Sequence, residues 1–173
     1  MIYYDCSNLY CEVILIVFDT STLILLAKID ILQLVLHKYG GVIPESVKEE
    51  VIYKNEMDTE LIVQQIKDGN LVVDKNPGKD KMKHILKDFP LGRGEVAALI
   101  IAKRKDIVLA TDDGLAIKVC KIFGVKFATA IHFLIGAGLD KSLAVAKLKL
   151  LKKYGRYSAD IIKDAEERIR KGK

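Results

Sequence analysis

The stretch VILIVFDTSTLI, residues 13–24, decides the fold. Its first half, Val13–Phe18, is an uninterrupted run of β-branched and other large apolar residues, which predicts a central strand buried on both faces. Asp19 follows the run directly, and helical spacing begins at Ser21. A buried strand that passes at once into a helix is typical of proteins built on a parallel sheet.

Strand and helix patterns alternate along the rest of the chain. Helices are predicted at 21–27, 29–39, from Pro44, and at 60–67, 80–87, 95–104 and 115–123, strands at 71–73, 107–110 and 125–128, and two or three helices thereafter. Gly40-Gly41 is a predicted helix stop. This alternation predicts an α/β fold with a central parallel sheet and helices on both faces.

The length and composition are those of one folded domain. The chain has 173 residues, of which 50% are hydrophobic, so its core needs no disulfide or structural metal. Cys6, Cys11 and Cys120 form no zinc-binding pattern and are predicted to be reduced thiols.

No membrane segment or signal peptide is expected. The most apolar stretch, Ser21–Leu36, is interrupted by Lys28 and Asp30. The N-terminus lacks a basic start, and its apolar run is short. A cytoplasmic protein is the resulting expectation.

The net charge of +5 is unevenly distributed. Residues 141–173 contain eleven Lys/Arg and four Asp/Glu, a net charge of 11 − 4 = +7, which leaves 5 − 7 = −2 for the rest of the chain. A basic helical segment is compatible with nucleic-acid binding, but it is also typical of a solvated surface.

Two acids follow buried strands directly and are predicted to meet. Asp19 and Asp112 each stand at the carboxyl end of a strand, where the crevice of an open parallel sheet binds ligands. Taken alone, Asp112 or Asp113 could cap the next helix, and Glu95 could complement a helix dipole. Asp19 is harder to explain structurally, because a carboxylate at that depth needs a partner, a metal or a raised pKa.

Four segments carry a resemblance to a known family. They are FDTSTLI from Phe18, VIPESVKEEV from Val42, LGRGEVAALIIA from Leu91 and LATDDGLAIKV from Leu109. In this order they resemble the motifs of PIN domains, over roughly residues 15–133. The resemblance implies a three-layer α/β/α sandwich with a central parallel sheet. It assigns the site acids to Asp19, Glu50, Glu95 and Asp112, with Asp113 as an accessory acid.

The resemblance also implies a division of the chain. Residues 13–140 form the predicted PIN-like nuclease domain, preceded by an extension at 1–12. Residues 141–173 form a basic helical extension of the same domain, whose role the sequence does not indicate.

Four carboxylates in one crevice repel one another, and Mg²⁺ or Mn²⁺ would remove that conflict. Asp19 and Asp112 are the expected direct ligands, Glu95 a ligand or water-positioning base, and Glu50 a residue acting through water. Four neighbouring residues are expected to orient the carboxylates: Thr20, Ser21, Thr111 and Asp113. Arg93 is expected to contact phosphate or to be solvated surface.

The resemblance therefore implies a metal-dependent endoribonuclease acting on single-stranded RNA. Many PIN-type proteins are ribonucleases, including toxins of toxin–antitoxin pairs, so an antitoxin is an expected partner if this chain is one. The alternative is a catalytically silent PIN-type module that binds RNA or a protein. The apolar stretch Ser21–Leu36 is longer than one small sheet is expected to cover, which predicts a homodimer.

Overall fold

The computed structural model describes residues 15–54 and 57–172, which form fifteen helices and strands. In chain order they are β1 (Ile16–Phe18), α1 (Thr20–Lys28), α2 (Leu32–Tyr39), β2 (Gly41–Pro44), α3 (Glu45–Lys54), α4 (Met57–Lys67), β3 (Leu71–Asp74), α5 (Lys79–Asp88), α6 (Arg93–Lys105), β4 (Val108–Ala110), α7 (Gly114–Phe123), β5 (Phe127–Ala128), α8 (Ala130–Gly136), α9 (Lys141–Tyr154) and α10 (Ala159–Lys171). All five strands are parallel, in the order β3-β2-β1-β4-β5.

The central strand β1 separates two hydrophobic cores. Ile16 and Phe18 face a core shared with α1, α2, α3, α4, α8, α9 and α10. Val17, between them, faces the second core, built with α5, α6 and α7. Successive side chains of a strand point to opposite faces, so this alternation places a helical layer on each side of the sheet. The predicted three-layer α/β/α sandwich with a central parallel sheet is confirmed.

The sequence patterns missed one strand. Gly40-Gly41 was expected to stop a helix and Pro44 to open the next, but Gly41–Pro44 is the buried strand β2 and the helix begins at Glu45. A four-residue strand is too short to show a period. Gly41 is suited to it because a Cβ there would lie 2.6 Å from Leu71 Cδ2. The other predicted elements are present among the described residues, with ends that differ by up to three residues.

The two last helices pack on the first core. α9 contacts α1 and α8, and α10 contacts α9 and α8. Leu148 and Leu151 of α9 and Ala165 and Ile169 of α10 are buried there. Most of the basic side chains of this segment are therefore exposed on helices that belong to the core.

The apolar stretch Ser21–Leu36 is largely covered within the chain itself. Leu23, Leu26 and Ile29 are fully buried, while Leu34 is 40% exposed. This stretch therefore needs no second copy of the chain to cover it. The homodimer stays a prediction. No helix in the described parts of the chain is both long and apolar enough to cross a bilayer.

Among the cysteines, Cys120 is a buried free thiol on α7. Cys6 and Cys11 lie outside the described residues, as does the predicted extension at 1–12.

Candidate active site

Asp19 lies at the junction of β1 and α1 and is 1% exposed. Its backbone N–H donates to the Ala110 carbonyl at the end of β4, which ties the ends of the two neighbouring strands together. Its carboxylate caps α1 by accepting the Thr22 N–H at 2.8 Å and also accepts the Ser21 hydroxyl at 2.9 Å. Burial raises the pKa of Asp19 to about 6, although hydrogen bonds from Thr111, Thr22 and Ser21 lower it in part.

Asp112 follows β4 and accepts hydrogen bonds from three separate elements. The Thr22 hydroxyl of α1 donates to Oδ2 at 2.9 Å, and the Ala130 N–H at the start of α8 donates to Oδ2 at 3.0 Å and Oδ1 at 3.2 Å. The Tyr157 hydroxyl, from the turn between α9 and α10, donates to Oδ1. Burial raises the pKa of Asp112 above its usual range, and these hydrogen bonds oppose the shift. Thr22 thus links the two aspartates, since its amide binds Asp19 and its hydroxyl binds Asp112.

Glu95 occupies the first turn of α6. Its Oε2 accepts the Gly92 N–H at 2.7 Å, so part of its role is to satisfy the helix N-terminus. Its pKa is raised by burial and by the negative charges of Asp113 and Glu50, which lie close enough to repel it. Glu95 therefore does bind the N-terminus of α6. It also belongs to a cluster of acids, called the acidic cluster below: Asp19, Glu50, Glu95, Asp112 and Asp113.

Glu50, on α3, is the most solvated of the four acids, with 44% of its side chain exposed. It accepts the Thr20 hydroxyl at 2.7 Å and pairs with Lys54 at 3.1 Å. α6 approaches α3 closely here, and a Cβ on Gly94 would lie 3.4 Å from Glu50 Oε2.

Asp112 and Asp113 are neighbours in the sequence but have different roles. Asp113 caps α7 by accepting the Leu115 and Ala116 N–H groups, each at 2.8 Å. Thr111 is fully buried, and its hydroxyl accepts the Asp113 N–H at 3.3 Å. The capping interpretation therefore applies to Asp113, and Asp112 faces the cluster.

A cleft of about 370 Å³ opens beside these acids. Glu95, Asp112 and Asp113 line it, whereas Asp19 and Glu50 do not. The cations on its walls are Lys28, Lys54 and Arg156. Arg93 is exposed at the start of α6 and does not line this cleft.

The cluster suits a divalent cation in its chemistry but not in the present positions of its side chains. In residues 15–54 and 57–172, no three His, Cys, Asp or Glu side chains lie close enough to share one metal ion. The chemistry of the donors nevertheless suits a hard cation, because they are carboxylates whose ionised forms burial and repulsion make costly. Binding such an ion would require the side chains to move.

Three residues that contact or line the site were not predicted from the sequence: Thr22, Arg156 and Tyr157. Thr22 stands three residues after Asp19, one helical turn away, a spacing that indicates the same face of α1. Arg156 and Tyr157 carry no such signal, because Tyr157 meets Asp112 across 45 residues of chain.

A parallel five-stranded sheet between two helical layers, with acids gathered where the strands end, defines the class as an α/β sandwich protein with an acidic cleft. The DUF3368 family model, described as a PIN domain, matches residues 15–169. The chain therefore belongs to the PIN-domain family, whose members are generally nucleases. The comparison with curated proteins gave no match.

The solved structures that are similar to this chain include two from archaea. PAE2754 from Pyrobaculum aerophilum superposes with a TM-score of 0.54 at 16% identity, covering 78% of this chain and 98% of that chain. The PilT N-terminus domain protein SSO1118 from the hyperthermophilic archaeon Sulfolobus solfataricus P2 gives a TM-score of 0.47 at 18% identity, covering 72% of this chain and 93% of that one.

Proposed function

We propose that this protein is a divalent-metal-dependent endoribonuclease that hydrolyses single-stranded RNA at the acidic cleft. The observation that carries the proposal is Asp19, a carboxylate with 1% exposure and a pKa of about 6 at the end of the central strand. Burying a charge that only hydroxyl and amide groups compensate costs stability, and proteins keep such groups mainly at functional sites.

Asp19, Asp112 and Glu95 are the proposed ligands of Mg²⁺ or Mn²⁺, which would supply an activated water and would compensate charge on the phosphate. Ser21 and Thr22 hold the two aspartates in place through the hydrogen bonds described above. Glu50 is exposed enough to act through water.

Arg156 replaces Arg93 as the proposed phosphate contact. Lys28 and Lys54 line the same cleft, but they form ion pairs with Asp58 and Glu50. Arg156 is exposed beside Asp112 and Asp113 and belongs to no ion pair among the described residues. A guanidinium binds a phosphate through two parallel N–H groups, which suits it to this position.

A cleavage assay with matched carboxylate variants tests the proposal. Asp19→Asn should abolish Mn²⁺-dependent cleavage of an end-labelled single-stranded RNA. EDTA should abolish cleavage of the same RNA by the wild-type protein. Glu49→Gln is the control, because Glu49 is an exposed acid one residue from Glu50. Cleavage by Asp19→Asn at the wild-type rate would refute the assignment.

A catalytically silent RNA- or protein-binding module is the second candidate. It is favoured by the three donors already bound to Asp112 and by the lack of three acids arranged around one ion. Cation binding without cleavage of any RNA or single-stranded DNA would support it. The narrower proposal, a toxin paired with an antitoxin, predicts a small antitoxin-like gene beside this one.

A further inference from the structure

The turn between α9 and α10, residues 155–158, reaches the acidic cluster from the C-terminal part of the chain. Its Tyr157 is half-buried and donates a hydrogen bond to Asp112 Oδ1. Nothing in the proposed function requires this contact, and the basic segment to which the turn belongs had no role in the sequence interpretation.

The turn is built to hold this tyrosine. Leu151 lies in the last turn of α9 and is fully buried. Its carbonyl accepts the Gly155 N–H at 2.8 Å. A Cβ on Gly155 would lie 2.4 Å from the Tyr157 ring and 2.9 Å from the Leu151 carbonyl oxygen, so only glycine lets the ring lie against the turn. Ser158 then caps α10 through the Ile161 N–H.

The hydroxyl completes a three-point support of Asp112. Thr22 and the Ala130 N–H fix the carboxylate from α1 and α8, and Tyr157 fixes Oδ1 from the third side. A carboxylate has about four lone-pair sites, and these three donors, with the Ala130 N–H shared between both oxygens, fix the orientation of Asp112. Hydrogen-bonded partners that hold a ligating side chain are typically worth about 10- to 100-fold in metal affinity or activity.

We propose that Tyr157 is a positioning residue of the carboxylate site, so that the α9–α10 segment completes the site by holding Asp112 toward the bound cation. This inference rests on the proposed function, because it assumes that Asp112 is a ligand. Deleting the segment is no test of it, since Leu148, Leu151, Ala165 and Ile169 are part of the core.

The test is calorimetric titration of the full-length protein with Mn²⁺. Tyr157→Phe keeps the ring and removes only the hydroxyl, and should weaken Mn²⁺ binding about 10- to 100-fold. Gly155→Ala should weaken it similarly by displacing the hydroxyl, which gives a second and independent route. Tyr53→Phe is the control, because Tyr53 is 91% exposed on α3. Melting of each metal-free variant reports whether it is folded.

The outcomes separate this proposal from the proposed function. Wild-type-like or tighter Mn²⁺ binding by folded Tyr157→Phe would overturn the positioning role and leave the nuclease intact. Weakened binding together with an absence of RNA cleavage by the wild type would support the positioning role and overturn the nuclease. If the wild type binds no Mn²⁺, both are overturned.

Discussion

At the scale of single residues, the site is a set of carboxylates whose charges the fold makes costly. Asp19, Asp112 and Glu95 all have raised pKa values, and burial is the largest cause in each case. The positions of Asp19 and Asp112 were predictable, because both follow strands and strand ends meet at one edge of the sheet. Glu95 was indicated only by the family resemblance. The hydrogen-bond donors of Asp112 were not predictable, since the Thr22–Asp112 and Tyr157–Asp112 contacts span 90 and 45 residues.

The raised pKa of Asp19 predicts a pH dependence of stability. Between its ordinary value of 3.8 and about 6, the folded state binds more protons at Asp19 than the unfolded state. The contribution of Asp19 to the free energy of unfolding is therefore fully present below about pH 4 and is lost as the pH rises through about 6. The total loss is about 3 kcal/mol. Asp19→Asn has no such group and should lose less stability than the wild type over this range.

Urea denaturation in EDTA at pH 4, 5, 6 and 7 measures this difference. The free energy of unfolding of Asp19→Asn minus that of the wild type should increase with pH. Because the pKa values of Asp112 and Glu95 shift in the same direction, part of the decline should persist in the variant. A difference that does not change with pH would show that Asp19 is not buried as described.

At the scale of helices and strands, the close approach of α6 to α3 sets the distance between Glu95 and Glu50. A Cβ on Gly94 would lie 3.1 Å from Val47 Cγ2, and Val47 is fully buried. The helix α6 was predictable from its apolar period, but this approach was not, because the short strand β2 that positions α3 has no recognisable pattern. Because β2 was not predicted from the sequence, the contact between α3 and α6 could not be predicted either.

Gly94→Ala should separate the two helices slightly. Alanine favours a helix over glycine by up to about 1 kcal/mol, but overpacking a buried contact costs about 1–3 kcal/mol. We expect a net loss of about 1 kcal/mol together with reduced cleavage, because Glu50 moves away from Glu95. Gly114→Ala, also in a first helical turn but with open space at its Cβ, should instead be neutral or stabilising. Equal effects of the two substitutions in thermal denaturation would contradict this account of the α3–α6 contact.

At the scale of the whole molecule, the positive charge of residues 141–173 is not uniform. On α10, Arg168, Arg170 and Lys171 pair with acids one turn earlier. On α9, Lys147 donates to the Ile29 carbonyl and is mostly buried, so its role is structural. The sequence showed the excess charge but not which of its members are paired, because pairing depends on the packed surface.

Three exposed lysines in the C-terminal half of α9 are therefore the predicted RNA contacts of this segment: Lys149, Lys152 and Lys153. Replacing all three by Gln should weaken single-stranded RNA binding and flatten its salt dependence by about 0.7 log units per lost phosphate contact, or about 2 in all. Replacing Lys163, Arg170 and Lys171 of α10 removes the same charge and is the control. Equal salt slopes for the two triple variants, measured by fluorescence anisotropy, would show that the effect is one of net charge alone.

The stabilisation of the folded protein by Mn²⁺ at pH 7 tests the carboxylate site most directly. A cation that binds only the native state at 100 times its Kd adds about 2.7 kcal/mol, or about 5–10 °C in Tm for a chain of this size. We predict such a shift for the wild type and for Glu49→Gln, and none for Asp19→Asn, which should be at least as stable as the wild type in EDTA. A wild-type protein whose Tm does not respond to Mn²⁺, or an Asp19→Asn variant that responds equally, would contradict the account.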